Sequence, residues 1–481
     1  MKTRIVLLSA ALLGPVCASA SGLDAPGIGS LFSGPLSADA ASVYHNPAML
    51  GLLRRPSLLL GAGLVTGRVG FERERRARYQ RADLLNFAEP LPPNAFDPSK
   101  TGRAEEAVAT PFAATGDVFG LFPLGPGRPT LGFGLYAPYA AQVDYTHADA
   151  IRSQVESASL SAGYVTAAVG WRVHEALSVG AGVSSVLGVA ALSKRQDFGA
   201  LDDFGDALER PPISQRNDFG ADAPPAVREL DTLARPVRID DAFAYGFTFN
   251  GGIVVQPRND VAVALTYHHG VVLDYEGDFR LDLNEDFFTG DLAYVGLDYP
   301  PIVTGDATVT LALPRRVLAA VAYAPSPSLW LEARFAWVGW SSVDALRVEL
   351  RSPGLAQPKL GLPPVSRVSE PRRWNDAPRA EVTARYVLER DWSVAGLLGW
   401  DAPASPDATI DASSPDGHRV TAGAGVSRAL GPDLQLLGDL RVQKQIPREV
   451  RDSDFDRGNG RYDLLLAQLG VHLQMRFGGA K

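Results

Sequence analysis

The chain is predicted to be all-β: a transmembrane antiparallel β-barrel of about 14 strands with an N-terminal plug, or hatch. Three observations carry that prediction. Long segments alternate between apolar and polar residues, which gives a strand one greasy face and one wet face. The connections between those segments are long and short in strict turn, as expected where tight turns gather on one side of a membrane and longer loops on the other. Ahead of the first strand lies an apolar stretch of small residues with no period of its own, and it needs something to pack into.

Residues 1–20 read as a secretory signal. Lys2 and Arg4 supply the charge, Ile5 to Leu13 the apolar core, and Ala18, Ser19 and Ala20 a small-residue cleavage site. The apolar run is shorter than the roughly 20 residues a spanning helix needs. Cys17 is the only cysteine among the 481 residues, and Val16 before it fits a lipoprotein site poorly. The mature chain is then expected to have neither a disulfide framework nor a Cys-based metal or redox site. Losing Lys2 and Arg4 takes the formal net charge from −8 to −10, which argues against nucleic acid as a partner.

The hatch is assigned to residues 21–55 and the barrel to residues 56–481. From Gly27 to Leu53 the sequence GIGSLFSGPLSADAASVYHNPAMLGLL alternates like no strand and repeats like no good helix. Its glycines, Gly34 among them, allow tight turns and close packing, and Pro35 and Pro47 interrupt any ladder. Asn46, Pro47 and Ala48 read first as a turn, because Pro fixes φ and Asn can bond its own backbone. A gating role is added to that structural one.

The last strand shows the alternation most clearly. Leu465, Ala467, Leu469, Val471, Leu473, Met475 and Phe477 alternate with Gln468, Gly470, His472, Gln474 and Arg476. A wet face of that length suits lipid outside and a hydrated lumen inside. The same pattern places strands near 57–71, 110–123, 130–142, 158–173, 176–192, 242–256, 260–281, 305–324, 328–350, 376–389, 391–401, 418–430, 433–444 and 461–477. The connections 72–109, 143–157, 193–241, 282–304, 351–375, 402–417 and 445–460 are long, and those between are short. Short turns are expected in the periplasm, with both chain ends. In lipid an unpaired backbone group costs several kcal/mol, so such a sheet must close. Most prolines lie in turns or loops accordingly; Pro138, within the third strand, does not.

Arg68, Arg73, Arg75, Arg76, Arg78 and Arg81 cluster in the expected first outer loop. Bidentate capture of a substrate carboxylate is one reading; contact with lipopolysaccharide phosphates, or solvation, is the plainer one. Leu84, Leu85, Phe87 and Phe96 read as a greasy capture groove or as loop packing. His268 and His269 cannot chelate one ion from a regular strand, since neighbours point to opposite faces. No local signature of a Ser–His–acid triad is present. No catalytic residue, metal or cofactor is therefore expected. Trp330, Trp337, Trp340, Trp392 and Trp400 read as interfacial or strand aromatics.

With these residues in hand, the chain resembles the FadL/TodX/OmpP1 family of outer-membrane transporters for long-chain fatty acids and other hydrophobic compounds. The resemblance is carried by Ser33-Gly34 through Asn46-Pro47-Ala48, by Leu135-Tyr136-Ala137-Pro138-Tyr139, and by Leu177-Ser178-Val179-Gly180-Ala181-Gly182-Val183. Leu313-Pro314 before Trp330 to Trp340, Trp374-Asn375-Asp376 with Arg379, and Ser414-Pro415-Asp416 with Arg419 complete the ordered set. It implies a 14-stranded barrel plugged by a hatch in the outer membrane of a Gram-negative bacterium. It also implies passive uptake, with the ligand leaving sideways through a gap at the third strand. Pro138 cannot donate to a ladder, and Gly132 and Gly134 permit a local bend, so the gap is placed at Gly132 to Tyr139.

The expected partners are outer-membrane lipid and lipopolysaccharide, the barrel-assembly machinery and a hydrophobic small molecule, for a monomer. Ligand or lipopolysaccharide contacts are assigned to Arg73, Arg75, Arg76 and Phe87. The alternatives are a general diffusion porin and a structural or adhesive barrel.

Overall fold

Alternating segments can hide one set of side chains and expose the other only by pairing into a sheet. In the computed structural model that sheet is a closed ring. The structure describes residues 23–24, 27–75, 78–80, 88–90, 102–103, 106–145, 148, 151–152, 154–197, 234–290, 298–358, 361, 363–389, 391–453 and 458–478. The signal segment and Arg76, Arg81, Leu84, Leu85, Phe87 and Phe96 lie outside them.

Fourteen strands make the wall. The first six are β1 (Ser57–Arg75), β2 (Phe112–Pro123), β3 (Thr130–Asp144), β4 (Ser157–His174), β5 (Leu177–Asp197) and β6 (Ala234–Arg258). Four strands then run in two segments each: β7 (Val261–His268 and Val271–Asp282), β8 (Ile302–Leu313 and Arg316–Ser326), β9 (Leu329–Val338 and Ala345–Arg351) and β10 (Val365–Pro371 and Ala377–Glu389). The ring is completed by β11 (Trp392–Asp401), β12 (Arg419–Ala429), β13 (Leu434–Gln445 and Arg448–Val450) and β14 (Gly460–Arg476). Consecutive strands pair antiparallel, and β1 pairs with β14 from Ser57↔Arg476 to Arg73↔Gly460. All the short connections therefore fall at the end of the barrel where Ser57 meets Arg476.

The two faces differ as the alternation requires. On β14, Leu465, Leu469 and Val471 are exposed on the outside, while Gln468, His472 and Gln474 are buried inside. On β11, Trp392 and Trp400 lie eight residues apart on the outer face and bracket the exposed Leu398. Aromatic side chains favour the two membrane–water boundaries, so this pair marks an apolar band. Trp340 is an exception to its expected role. It is buried at the break in β9, edge-on to Trp374 with ring centres 5.5 Å apart.

Several boundaries differ from the sequence-based ones, for one physical reason. β5 runs to Asp197 and β6 begins at Ala234, so the connection expected over 193–241 is largely strand at both ends. The stretches 260–281, 305–324 and 328–350, expected unbroken, are interrupted at 269–270, 314–315 and 339–344. β6 carries a bulge between Ile239 and Phe243, with Asp241 at φ 48°. One extra residue moves every later side chain to the other face. Below the bulge Ala242 and Ala244 are buried inside and Phe243, Tyr245 and Phe247 face out. Above it Val237 and Ile239 turn inward and Asp240 outward. β7 switches likewise at 269–270: Ala262 and Ala264 point in below, Leu273, Tyr275 and Leu281 above, with Asp274, Glu276 and Asp278 outside. The wall is thus apolar-out where it meets lipid, and apolar-in where it rises past the membrane into water.

A charge on the lipid face tests the placement of the band. Leu469→Arg, near mid-height on β14, should cost about 2–4 kcal/mol of unfolding free energy in bilayers. Gln468→Arg, one residue away on the lumen side, should cost less. Equal losses would mean that the outer face of β14 does not meet hydrocarbon.

Candidate functional site

The segment after Gly27 touches wall strands from β2 round to β13, always on the face opposite the exposed Leu, Val and Phe side chains. It therefore lies inside the ring. Its own fold comes from short local bonds. Ser33 N–H donates to Ser30 O at 2.9 Å and Ser37 N–H to Gly34 O at 3.1 Å. A single helical turn, α1 (Ser42–His45), leads into a 3-10 helix over Pro47–Leu52. Asn46 joins them in an extended conformation. Its Oδ1 accepts from Ala48 N–H and its Nδ2 donates to Pro35 O, both at 3.1 Å. Asn46 thus caps the 3-10 helix, Pro47 fills the position where a missing N–H does no harm, and Ala48 supplies the capped donor.

Glycines in the wall let this segment approach. A Cβ on Gly180 of β5 would lie 2.3 Å from the Pro47 carbonyl carbon, and one on Gly252 of β6 would lie 2.0 Å from Asn46 Oδ1. A Cβ on Gly170 would lie 2.2 Å from Pro47 O, and one on Gly132 of β3 2.6 Å from Val43. Asn250 on β6 donates to Val43 O at 3.0 Å. Gly132 is therefore a contact point of the hatch, whereas Gly134 faces Phe119 and Tyr136. Gly170, Gly252 and Asn250 escape sequence reading. The only signal they leave is small or polar residues at lumen positions of strands whose alternation is weak.

On the opposite wall the contacts are charged. Arg334 and Arg385 flank the buried Glu332 at 2.7 and 3.6 Å, and Arg379 holds Glu381 at 2.8 Å and Asp401 at 3.1 Å. Between them they hold the hatch backbone and hydroxyls. Arg334 donates to Ser33 O at 3.3 Å and Arg385 to Ser37 Oγ at 2.6 Å. Asp117 accepts from Gly29 N–H at 3.1 Å and Asp439 from Leu31 N–H at 3.3 Å. Gly34 is pressed against Arg334, whose Nη2 would lie 2.1 Å from a Cβ there. The paired arginines and carboxylates keep the lumen polar while each charge has an opposite charge beside it.

Two hatch groups titrate far from their ordinary values for want of water. Burial, reinforced by the Arg334 guanidinium, lowers the His45 imidazole from 6.5 to about 3. Burial raises the Asp39 carboxyl from 3.8 to about 6, against the pull of Ser33 and Arg385. His45 Nε2 lies 2.9 Å from Ile28 O, where the neutral ring can donate.

The ladder between β2 and β3 stops short. The β2–β3 ladder runs from Pro123↔Thr130 only to Val118↔Leu135. Beyond that, β3 keeps its ladder with β4 but shifts register between Tyr136 and Tyr139, around Pro138. Over this stretch the small side chains Val65, Ala113 and Ala140 pack together in place of backbone bonds. Arg73 is another departure from expectation. It belongs to β1, where it pairs with Gly460, and its side chain is buried, so it is not part of an exposed loop cluster. Arg75 ends the same strand.

Toward the long-loop end the inner faces of β5, β6, β7, β9 and β10 enclose an apolar cavity of about 410 Å³. Val237, Ile239, Leu281, Val348 and Phe288 line it, and the Lys194–Glu370 pair, 2.8 Å apart, stands among the lining residues. A smaller polar cavity of about 100 Å³ lies against the hatch, between His45, Pro138, Arg316 and Arg441. His268 faces this lumen, its ring centre 5.2 Å from Tyr44, while His269 stacks outside on Phe249 at 4.5 Å.

The sequence model of the outer membrane protein transport protein family (OMPP1/FadL/TodX) matches residues 17–458. A long-chain fatty acid transport protein of Escherichia coli K12 is 23% identical over 420 residues, 85% of this chain and 83% of that one. Among solved structures, a FadL homologue of Pseudomonas aeruginosa superposes with a TM-score of 0.70 at 18% identity, covering 97% of this chain and all of that one. The toluene transporter TbuX of Ralstonia pickettii gives 0.61 at 16% identity, covering 94% and 99%. At such identities these structures establish a shared fold.

Two outcomes test how the hatch is held. Gly180→Val puts a branched side chain where the Pro47 backbone now lies. The barrel should still fold, by its heat-dependent mobility on gels, and single-channel conductance in planar bilayers should rise. Unchanged conductance would place the hatch's hold elsewhere.

The second outcome concerns pH. The docked hatch refuses a proton at His45, so docking weakens as pH falls from 6.5 toward 3; it retains one at Asp39, so docking strengthens as pH falls from 6 toward 3.8. The two effects oppose each other between pH 6 and 4. Asp39→Asn should therefore show conductance rising on acidification more steeply than wild type, and His45→Gln should show it falling. Parallel responses in both variants would exclude these groups.

Proposed function

The chain belongs to the outer membrane protein transport protein family (OMPP1/FadL/TodX), and from that premise we propose that it carries long-chain fatty acids or related hydrocarbons inward by passive diffusion. Its place is the outer membrane of a Gram-negative bacterium. The long connections face the outside in this reading, and the short turns and both barrel ends face the periplasm. A hydrophobic molecule enters the apolar cavity among β5, β6, β7, β9 and β10, passes the hatch, and leaves sideways into the bilayer between β2 and β3.

The observation that carries the sideways exit is the lapse of the β2–β3 ladder beyond Val118↔Leu135. Elsewhere, opening the wall would strand backbone groups in hydrocarbon at several kcal/mol each. Here it would break the contacts of Ala140 with Val65 and Ala113, each worth only about 0.1–0.2 kcal/mol per atom pair. In this reading the protein works as a channel and not as an enzyme. A general diffusion porin would need a clear aqueous lumen, and the hatch's contacts around the ring argue against one.

Cys17 is the only native thiol, so a reversible lock can be introduced. Ala113→Cys combined with Ala140→Cys should stop uptake of a labelled fatty acid and of toluene when oxidised, and restore it on reduction. Gly134→Trp, which adds bulk against Phe119 and Tyr136, should slow uptake without any cross-link. Wild-type uptake with the disulfide shown to be formed would remove lateral exit from the account.

A further inference from the structure

On the outer face above the lipid-facing band, the wall carries charge of two signs in two neighbouring strips. Leu346, Val348 and Leu350 on β9 and Val368 on β10 line the apolar cavity, so the residues that alternate with them point outward. Those are Arg347, Glu349 and Arg351 on β9, with Arg367 and Ser369 on β10. Each of the three guanidiniums is more than half exposed. Arg367 stands directly opposite Glu349, and Ser369 opposite Arg347. Arg351 Nη2 and Arg367 Nε both donate to Glu349, each at 2.8 Å, and Arg347 lies 3.7 Å from the exposed Asp344. Three guanidiniums thus meet two carboxylates, and the strip keeps a net positive charge and several outward N–H donors.

Below the break in β9 the exposed Leu331 and Phe335 face lipid, and the Arg315 guanidinium lies over the Trp337 ring, 5.3 Å from its centre. An exposed cation seated on an indole suits the membrane–water boundary, because both groups have an apolar body and a polar rim. The three guanidiniums of the strip begin on the far side of that boundary, at the level of lipid headgroups. The neighbouring strip is acidic. Asp240, Asp278 and Asp306 stand directly opposite one another across β6, β7 and β8, and Asp306 is opposite Arg351. Like charges so placed repel one another, and they repel an approaching anion too. An anion at this height is therefore directed to β9 and β10.

We infer that Arg347, Arg351 and Arg367 form a docking site for the phosphates of lipopolysaccharide, the phosphorylated lipid of the outer leaflet. The contact expected of Arg73 thereby passes to β9 and β10, since Arg73 is buried in β1. Guanidiniums hold phosphate through paired, charge-assisted N–H bonds. Glu349 already orients two of them, so a phosphate meets a prepared pair instead of ordering two long side chains. A lipopolysaccharide layer carries divalent cations between its phosphates. At the barrel wall the guanidiniums take the place of such cations, and the carboxylate strip faces the cations that remain. Because Arg347 and Arg351 alternate with Leu346, Val348 and Leu350, the docked lipid steadies from outside the same strand that lines the apolar cavity from inside.

The test uses the full chain in a neutral detergent, titrated with fluorescently labelled lipopolysaccharide and with the same lipid stripped of phosphate. Wild type should bind the intact lipid about tenfold more tightly than the stripped one. Arg351→Gln combined with Arg367→Gln should abolish that difference, and Arg351→Lys combined with Arg367→Lys should keep part of it. Arg367→Gln alone should weaken the intact lipid about fivefold. Arg280→Gln, the same change of charge beside Asp278 on β7, should leave it as it is. Each variant is first shown to be a folded barrel by its heat-dependent gel mobility. Equal losses in Arg367→Gln and Arg280→Gln, or a phosphate preference that survives the double Gln variant, would overturn the site, as would wild-type protein that binds both lipids alike. Complete displacement of the labelled lipid by inorganic phosphate would make this a site for the free anion and overturn lipid docking.

Discussion

A backbone amide in hydrocarbon has no water to turn to, and this one constraint organises the whole molecule. It requires the sheet to close, which β1 and β14 accomplish over seventeen paired positions from Ser57↔Arg476 to Arg73↔Gly460. It also makes any unpaired stretch of wall conspicuous. Pro138 and the register shift beside it leave β3 without β2 above Leu135, and the freed edge is met from inside by Leu23 and Asp24. The N-terminal segment is therefore part of the wall as well as its filling. What occupies the lumen and what completes the sheet are one piece of chain.

The same segment is held by two unlike surfaces. On β3 to β6 it lies on glycines, where a Cβ would collide with Val43, with the backbone of Pro47 or with the side chain of Asn46, and Asn250 adds a hydrogen bond to Val43 O. On β9, β10 and β13 it is held by guanidinium and carboxylate groups that are already paired with each other. Those charges need no hatch to be neutralised, so the hatch adds hydrogen bonds to a balanced surface. Arg316 departs from this rule, because its carboxylate comes from the hatch itself. The position of Asp24 is thus coupled to the charge of Arg316 and, at 3.9 Å, of Arg379.

The inversion of faces gives the barrel a second solvent problem and the same solution. Within the membrane band Phe243, Tyr245 and Phe247 belong outside; above it Val237 and Ile239 belong inside. On β6 and β7 the apolar residues keep step along the chain, so a change of parity carries them from the outer to the inner face, and the bulge at Asp240–Phe243 and the break at 269–270 provide it. The apolar cavity of about 410 Å³ lies against the inner faces above these two points.

The sequence by itself determined the strand count, the sorting of short and long connections, the lipid-facing set on β14 and the position of the odd proline. These follow from local periodicity and from the few residues that forbid a ladder. It also marked Asn46-Pro47-Ala48 as a turn, because that chemistry is written within three residues. Tertiary structure alone decided the rest. Parity switches read as lost alternation until partner strands show which residue is extra, so 260–281 looked like one strand. Gly170, Gly252 and Asn250 acquire meaning only when the hatch lies against them. Arg73 passes for a loop arginine until its pairing with Gly460 places it inside the wall. Asp24 and Arg316 are 292 residues apart, and no local pattern can report that one carboxylate closes on one guanidinium across the lumen.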